Sequence, residues 1–159
     1  MSLTADDLSF LVRCVDLAEQ ALDAGDEPFG SLLVDASGAV LREERNHVGG
    51  GDRTRHPELA LAVWAASALS PEERGRATVY TSGEHCPMCA AAHAWVGLGR
   101  IVYAASSAQL GAWLAEWGVP EGPVNCLPIS EIAPGVPSDG PASELTGRLR
   151  ELHLRSRQR

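Results

Sequence analysis

One histidine and two cysteines in this sequence have the types and spacing of zinc ligands. Cys86 and Cys89 lie three positions apart at the predicted start of a helix, so their sulfur atoms point the same way. The free N–H groups and positive potential of a helix N-terminus favour the thiolate, which is the form that binds zinc. His56, at the start of another predicted helix, supplies a third ligand. Three protein ligands leave one tetrahedral position for water, which is typical of catalytic zinc.

Glu58 is the predicted catalytic residue beside this metal. Zinc lowers the pKa of a bound water to about 7, which produces a nucleophile near neutral pH. A general acid and base must then stand close to that water, and Glu58 follows the ligand His56 by two positions. The sequence therefore predicts zinc on His56, Cys86 and Cys89, with Glu58 carrying protons.

Three other interpretations of the same residues stay open at this point. The Cys86–Cys89 pair could be a redox pair, since C-x-x-C after a strand also occurs in thioredoxin-like proteins. A structural zinc site would need a fourth ligand, which His85 or Cys126 could supply. Glu58 could simply favour the helix N-terminus through its charge.

The composition of the chain excludes several classes of function. The 159 residues carry a formal net charge of −8, and all 13 basic residues are arginine. Because lysine is absent, Schiff-base lysine chemistry and a Walker-type phosphate loop are excluded. The negative charge argues against a nonspecific nucleic-acid binder. The length fits one domain.

Helices and strands alternate along the chain in an order that predicts the fold class. In chain order the predicted elements are a helix from Thr4 to Gly25, strands over 29–35 and 39–46, a helix over 56–69, a helical turn from 70, a strand over 77–82, a helix over 87–98, a strand over 101–105, a helix over 109–117 and a strand over 124–127. This order predicts an α/β fold, a three-layer α/β/α sandwich on a mixed five-stranded sheet.

The C-terminal segment differs in composition from the rest of the chain. Residues 133–141 contain three prolines and two glycines, which is typical of a linker that crosses the surface. A helix with five arginines follows from about Ala142. We expect residues 1–132 to form the catalytic domain and residues 133–159 to be a linker and an Arg-rich helix belonging to the same domain.

The two ligand segments together resemble the cytidine/deoxycytidylate deaminase-like superfamily, whose members carry H-x-E and P-C-x-x-C segments. The resemblance covers residues 28–105 in register. It rests on Pro28-Phe29-Gly30, Arg45-Asn46, Asp52-x-Thr54-x-His56-x-Glu58 and Tyr80-Thr81-Ser82-x-Glu84-x-Cys86-Pro87-Met88-Cys89. The sequence is most similar to the branch of guanine deaminases, cytosine deaminases and transfer-RNA adenosine deaminases. As a pair in this order of elements, the two segments are highly specific.

This resemblance implies a zinc-dependent hydrolase that deaminates a small nucleobase or nucleoside, of the guanine or cytosine type, and releases ammonia. The alternatives are a wobble-adenosine deaminase of transfer RNA and a non-catalytic zinc-binding relative. By the same resemblance, Asn46 would hydrogen-bond the base, Phe29 would stack on it or form a wall, and Glu84 would lie at the site. Trp113 and Trp117, four positions apart on one predicted helix, are by default core or dimer-packing residues. The alternative is that they shape the substrate pocket, because specificity residues in this family often come from that region.

Two positions depart from the family pattern. Pro57 stands where this branch usually has alanine, and proline lacks the backbone N–H that the family directs at the substrate. His85 stands where the residue before the first zinc cysteine is usually proline, which places a titratable group near the metal. Since the ligands and the acid/base are intact, we expect the chemistry to survive and the substrate contacts to change.

The remaining expectations concern partners and location. The resemblance implies a homodimer with the zinc helices near the interface, and Trp64 and Trp95 are read as core or interface residues. The Arg-rich C-terminus keeps RNA as an alternative partner, although the net charge disfavours it. An acidic N-terminus without a basic region and the lack of an apolar span predict a cytoplasmic protein with no membrane partner. We expect His153 on the surface, and Cys14 and Cys126 buried.

Overall fold

The first helix of the chain begins at the predicted capping residue. The computed structural model describes residues 2–159, and its helix α1 spans Ala5–Asp23. The Thr4 hydroxyl accepts the Asp7 amide hydrogen at 3.0 Å, and the Asp7 carboxylate accepts the Thr4 amide hydrogen at 2.9 Å. This reciprocal pair satisfies two N–H groups that a helix start leaves free.

Five strands and six further helices follow α1. The strands are β1 (Gly30–Val34), β2 (Val40–Arg45), β3 (Thr78–Gly83), β4 (Ile101–Ala105) and β5 (Ser138–Asp139). The helices are α2 (Pro57–Ala68), α3 (Pro71–Arg76), α4 (Pro87–Val96), α5 (Ser107–Glu116), α6 (Ile129–Ile132) and α7 (Thr146–Arg157). Short 3₁₀ helices span Val48–Gly50 and Ser143–Leu145.

The strands form one mixed sheet in the order β2-β1-β3-β4-β5. Strand β1 is antiparallel to both of its neighbours, whereas β3, β4 and β5 run parallel to one another. Because parallel neighbours need a crossover, helices connect them, and α4 links β3 to β4. The predicted α/β class with a mixed five-stranded sheet is confirmed.

The fifth strand lies in a different segment from the predicted one. The structure has no strand over 124–127, and the sheet is instead completed by Ser138–Asp139, within the segment predicted as a linker. Ser138 is in register with Ile101, whose amide donates to the Pro137 carbonyl at 2.9 Å. An edge strand needs hydrogen bonds on one side only, so flanking prolines do not prevent this pairing.

Two apolar layers cover the two faces of the sheet. One core cluster joins α1, α5 and α7 to the sheet and includes Leu11, Leu32, Val102, Trp113 and Leu149. The other joins α2 and α4 to the opposite face and includes Leu33, Leu61, Val79 and Leu98. Consecutive residues of β1 point to opposite faces, so the buried pair Leu32 and Leu33 divides between the two clusters.

A buried ion pair connects α1 to the middle of the sheet. Asp7 is 2% exposed, and its carboxylate accepts hydrogen bonds from Arg100 at 2.8 and 3.2 Å and from the Tyr80 hydroxyl at 2.8 Å. Burial alone would raise the pKa of Asp7, but hydrogen bonds from Arg100, the Thr4 amide and Tyr80 outweigh it and lower the pKa to about 2. Arg100 also pairs with Asp139 at 2.7 Å, which ties β5 to the sheet.

We expect this carboxylate to make the stability of the protein depend on acid. The pKa of Asp7 is lowered on folding, so its contribution is complete above pH 3.8 and is lost as the pH falls through about 2. The contribution is about 2 kcal/mol, of which about half is lost between pH 5 and pH 3. Urea unfolding of the wild type and Asp7→Asn at both pH values measures it. Asp6→Asn, at an exposed position, is the control. If the free energies of unfolding of wild type and Asp7→Asn differed by the same amount at pH 5 and pH 3, the lowered pKa of Asp7 would be contradicted.

Candidate zinc centre and active-site cavity

Two helix N-termini meet at the carboxyl end of β3. Strand β3 ends at Gly83, and the chain enters α4 at Pro87 after a three-residue loop. Helix α2 begins at Pro57 and packs against α4 on the same face of the sheet. Each helix has proline at its first position, where the missing N–H costs no hydrogen bond. His56 and Cys86 are the capping residues of these two helices, so they face each other.

The three predicted metal ligands form one cluster. The Nδ1 atom of His56 lies 3.5 Å from the Cys86 sulfur and 3.6 Å from the Cys89 sulfur. A tetrahedral zinc with its usual bond lengths would separate nitrogen from sulfur by about 3.6 Å. The donor atoms therefore fit zinc, and His56 would bind it through Nδ1 with the ring proton on Nε2. Among residues 2–159 no other group of three or more His, Cys, Asp and Glu side chains is close enough to hold a metal.

The surroundings of the two sulfur ligands favour a thiolate at Cys86 and a protonated thiol at Cys89. Hydrogen bonds from the Cys89 thiol and from His56, together with the Cys89 backbone amide, lower the pKa of Cys86 to about 4 despite burial. The pKa of Cys89 is raised, because its proton bonds to Cys86 and because the side chain is buried. The pKa of His56 is raised mainly by its hydrogen bond with Cys86. A cation bound at this position would replace the shared protons.

Glu58 is buried beside this cluster. Its Oε1 atom accepts a hydrogen bond from the Thr81 hydroxyl at 2.8 Å, and burial raises the pKa of its carboxyl group. The Ser31 hydroxyl in turn lies 2.9 Å from the Thr81 hydroxyl, on the neighbouring strand. Thr81 is part of the sequence motif, but only the packing of α2 onto the sheet shows that its hydroxyl reaches Glu58.

The cluster opens into one cavity of about 210 Å³. Its wall includes His56, Glu58 and Cys86 from the predicted site. The other lining residues are Glu27, Phe29, Pro57, Gly83, Glu84, Ala105, Ser106, Ser107, Leu110, Gly111, Leu114, Cys126 and His153. Most of this wall is apolar, so a polar group inside the cavity would be recognised by a small number of side chains.

His153 is the principal residue that the sequence analysis misplaced. It was expected on the surface, but it is 4% exposed and lines the cavity. The available signal was the helical spacing of the buried residues Leu149, Leu152 and His153, which places the histidine on the inner face of α7. Cys126 was expected to be buried but is exposed and borders the same cavity.

Three of the predicted substrate contacts lie on the cavity wall. Phe29 precedes β1, and Pro57 opens α2. Glu84 also lines the cavity, yet its two carboxylate oxygens accept hydrogen bonds from the backbone amides of Ser107 at 2.8 Å and Ile129 at 2.9 Å. Glu84 thus holds the start of α5 and the start of α6 in place around the cavity.

The other three predicted contacts do not line the cavity. Trp113 is buried in the core one layer behind His153, with ring centroids 6.2 Å apart, and Trp117 packs beneath the Arg150 guanidinium. The face of α5 that lines the cavity carries Leu110 and Leu114 instead, because the helix turns both tryptophans toward the core. The oxygen of the Asn46 amide accepts two backbone N–H groups, and its buried nitrogen has no hydrogen-bond partner among residues 2–159.

The two alternative fourth ligands stay outside the metal cluster. His85 is fully buried, and its ring lies 5.3 Å from that of His93 in an edge-on arrangement. Neither ring nitrogen of His85 has a partner among the described residues, and burial lowers the pKa of the ring. Neither His85 nor Cys126 belongs to the group of donor atoms that lie within 4.8 Å of one another.

The arginines of α7 lie mostly against acidic side chains of the protein. Arg148 pairs with Asp16 and Glu19 at 2.8 Å, and Arg150 pairs with Glu116 at 2.7 Å. Arg155 lies 3.4 Å from Glu19. Much of the positive charge at the C-terminus is therefore neutralised within the chain.

Of the helices between residues 2 and 159, none is both long and apolar enough to span a membrane.

A His-x-Glu segment and a Cys-x-x-Cys segment that together build one zinc site define the class of zinc-dependent deaminases. The family model of the cytidine and deoxycytidylate deaminase zinc-binding region matches residues 4–105, which is more than half of the chain. The chain belongs to this family.

Two curated proteins similar in sequence to this chain have different named activities. The chain is 34% identical over 108 residues to a probable cytosine deaminase of Schizosaccharomyces pombe, covering 68% of this chain and 65% of that protein. It is 36% identical over 99 residues to the guanine deaminase of Bacillus subtilis, covering 61% of this chain and 63% of that protein. The matched regions thus span slightly less than two thirds of these relatives' lengths.

Solved structures share the fold over most of the chain. A crystal structure of a mutant protein in complex with 8-azaguanine matches with a TM-score of 0.73 and 25% identity, over 96% of this chain and 86% of that one. A structure from a study of A-to-I editing by tRNA:A34 deaminases matches with a TM-score of 0.59 and 26% identity, over 85% of this chain and 100% of that one.

Proposed function

We propose that this protein catalyses the zinc-dependent hydrolytic deamination of a small nucleobase or nucleoside, and that its substrate is a free base of the guanine or cytosine type. The observation that carries this proposal is the ligand cluster of His56, Cys86 and Cys89 at tetrahedral spacing, opening into the same cavity as the buried Glu58. The names of the two curated relatives support the choice of bases.

In the proposed reaction Glu58 carries every proton. Bound zinc would supply the Lewis acidity that activates a water molecule. Glu58 takes a proton from the attacking water and delivers it to the ring nitrogen next to the amine-bearing carbon. It then transfers the second proton to the departing amine, so the base gains a carbonyl oxygen and ammonia leaves. Burial raises the pKa of Glu58, which makes it a competent proton donor as well as an acceptor.

The size of the cavity supports a base rather than a larger substrate. Its volume of about 210 Å³ is below the ~300–1,000 Å³ that is usual for sites of drug-sized ligands. The apolar wall formed by Phe29, Leu110 and Leu114 suits the faces of a neutral heterocycle. Asn46 does not line the cavity, and we keep it as a proposed base contact only because its buried amide nitrogen has no hydrogen-bond partner within the described chain.

An assay on a panel of bases tests this function. Purified zinc-loaded protein is incubated with guanine, cytosine, adenine and their nucleosides, and ammonia release and the ultraviolet spectrum are followed. We expect turnover of guanine or cytosine and much slower turnover of the nucleosides. Zinc-loaded protein that releases ammonia from none of these compounds would contradict the proposal.

Transfer RNA remains the weaker candidate substrate. The cluster of Arg155, Arg157 and Arg159 motivates it, and of these three Arg155 lies against the acidic group of Glu19 at 3.4 Å. The net charge of −8 also opposes binding to a phosphate backbone.

For location, four cysteines without a disulfide support a reducing compartment, and we propose that the protein works in the cytoplasm.

We propose further that two copies of the chain associate through α2 and α4. The exposed surface of these helices carries no charged side chain, since Glu58 and His93 are both buried. Val63 is 64% exposed and Trp95 is 90% exposed. A groove runs along α2, with Leu59, Val63 and Trp64 on its apolar side and charged residues such as Arg42 and Glu44 on the other. In a two-fold arrangement, the Trp95 side chain of each copy would pack against the apolar side of this groove on the other copy.

Replacing Trp95 by glutamate should therefore yield a monomer. The charge would enter the apolar interface without a partner, so light scattering should show the mass falling from twice the chain mass to that of one chain. Val12→Glu is the matched control, because Val12 is 43% exposed on α1, which covers the other face of the sheet. A wild-type protein that is monomeric at ~50 µM, where interfaces of standard size are usually occupied, would refute the dimer.

A further inference from the structure

We propose that His153 is a substrate-contacting residue, which recognises by hydrogen bonding an edge of the bound base that carries a ring nitrogen or a carbonyl oxygen. This proposal rests on the proposed function, because it concerns the same cavity and assumes that a base occupies it. It makes the C-terminal helix part of the substrate site, although that helix lies outside the region that carries the zinc motifs.

The position of His153 is set by the packing of α7. Leu149 and Leu152, on the same face of the helix, are buried in the core cluster that joins α7 to α1 and α5. This packing directs the His153 side chain inward, where it lines the cavity together with His56 and Glu58. A residue near the C-terminus therefore shares a wall with the proposed reaction centre.

Two aromatic contacts hold the imidazole ring. The Phe29 ring lies 5.0 Å from it in an edge-to-face arrangement at 64°, and the Trp113 ring lies 6.2 Å away behind it. Edge-to-face contacts at these distances favour one orientation of the ring over others. Because Phe29 also lines the cavity, the two rings form one corner of the wall.

The ring nitrogens of His153 are free to bind a ligand. Among residues 2–159 no hydrogen bond to this ring is formed, in contrast to His93, whose Nε2 lies 2.8 Å from the Gly99 carbonyl. Buried polar side chains in proteins are nearly always hydrogen-bonded, to protein, water or ligand. The ring nitrogens of His153 are not among the fully buried, unpartnered polar atoms, so they keep some exposure, and on the wall of a base-sized cavity they are placed to hydrogen-bond the occupant.

The charge state of the ring agrees with a neutral partner. Burial, followed by the nearby charge of Arg157, lowers the pKa of His153 to about 4. At neutral pH the ring is therefore uncharged and offers one N–H donor and one nitrogen acceptor. A purine or pyrimidine edge presents the same two kinds of group, whereas a phosphate or carboxylate would call for a cation.

Two variants separate hydrogen bonding from packing. His153→Phe keeps an aromatic ring of similar size and removes both nitrogens, whereas His153→Gln keeps a donor and an acceptor. We expect His153→Phe to raise the KM for the best base of the panel roughly 10- to 100-fold, the usual cost of a lost buried hydrogen bond, with kcat altered less than about threefold. His153→Gln should recover most of the loss.

Substrate analogues identify the contacted atom. For guanine, 2-aminopurine lacks the carbonyl oxygen and 7-deazaguanine lacks one imidazole nitrogen of the base. If His153 binds one of these atoms, the wild type discriminates against the analogue that lacks it and His153→Phe does not. Equal weakening of guanine and both analogues would place the contact at another ring nitrogen if His153→Gln recovers binding; if His153→Gln does not recover it, the role is packing only and the proposal is overturned.

The readouts separate this proposal from the proposed function. Binding of guanine and cytosine is measured by calorimetry in zinc-loaded Glu58→Gln protein, with and without His153→Phe, so turnover is not needed. If the wild type releases no ammonia but His153→Phe still weakens base binding, the function fails and the contact stands. If turnover occurs and His153→Phe leaves KM and discrimination unchanged, the contact fails. Base binding by neither protein overturns both. Leu149→Ala, in the core of the same helix, controls for lost stability.

Discussion

Glu58→Gln should reduce the rate of base deamination by ~10²–10⁴-fold while leaving one zinc bound per chain, which is the range that a positioned acid/base contributes. Glutamine keeps the shape of the side chain and can still accept the Thr81 hydrogen bond, but it cannot take a proton from water or return one to the amine. Ammonia release measures the rate, and atomic absorption measures the metal.

Two further measurements make this result specific. Glu72→Gln changes an exposed carboxylate on α3, away from the cavity, and should keep the wild-type rate. If Glu58→Gln lost zinc, Glu58 would be required for the metal site itself. An unchanged rate with zinc in place would show that Glu58 is not the proton carrier. An absence of activity in the wild type as well would favour a non-catalytic zinc-binding relative.

Cys89→Ser should abolish zinc binding and with it the activity. Cys89 is buried, and its sulfur is one of only three donors in the cluster, so a hydroxyl at this position leaves two ligands. The metal also joins the N-termini of α2 and α4, so its loss should lower stability. At a zinc concentration of ~1,000 times Kd, the stabilisation is about 4 kcal/mol. Metal content and thermal unfolding with and without a chelator measure both effects. The chelator should lower the unfolding temperature of the wild type and leave that of Cys89→Ser unchanged.

Cys126→Ser is the matched variant for this experiment. Cys126 borders the cavity but is not among the clustered donors, so its replacement should retain one zinc per chain. If Cys126→Ser lost its zinc as Cys89→Ser does, the site would have four protein ligands and no open position. That outcome would indicate a structural zinc and would contradict the proposed chemistry.

The local parts of the site could be predicted from the sequence because they depend on short-range geometry. Cys86 and Cys89 share a face of one helical turn wherever that helix lies, and Pro57 and Pro87 mark the starts of two helices. The pattern of alternating elements was sufficient to predict the mixed sheet. It was insufficient for the short strand β5, since two residues beside prolines carry no strand pattern and pair only because the edge of β4 is available.

The sequence did not predict which face of a helix packs against the sheet. On α5, core packing and a pocket role were both open for Trp113 and Trp117, and the helix turns them toward the core and presents Leu110 and Leu114 to the cavity. On α7, His153 was assigned to the surface. On both helices, the direction of these side chains depends on the rotation of the helix about its own axis. That rotation is set by the combined packing of α1, α5 and α7 rather than by any one segment.

By itself, the sequence determined the ligand types and their helical spacing, because these follow from neighbours a few positions apart, and the class of fold, because this follows from the order of helices and strands along the chain. It also predicted Glu58 as the acid/base. Only the tertiary structure decided that His56 Nδ1 meets both sulfurs at tetrahedral spacing, that Thr81 reaches Glu58, and that His153 closes the cavity. These contacts join segments far apart in the chain. Their geometry is set by strand register and by the packing of helices onto two faces of one sheet, which no local pattern encodes.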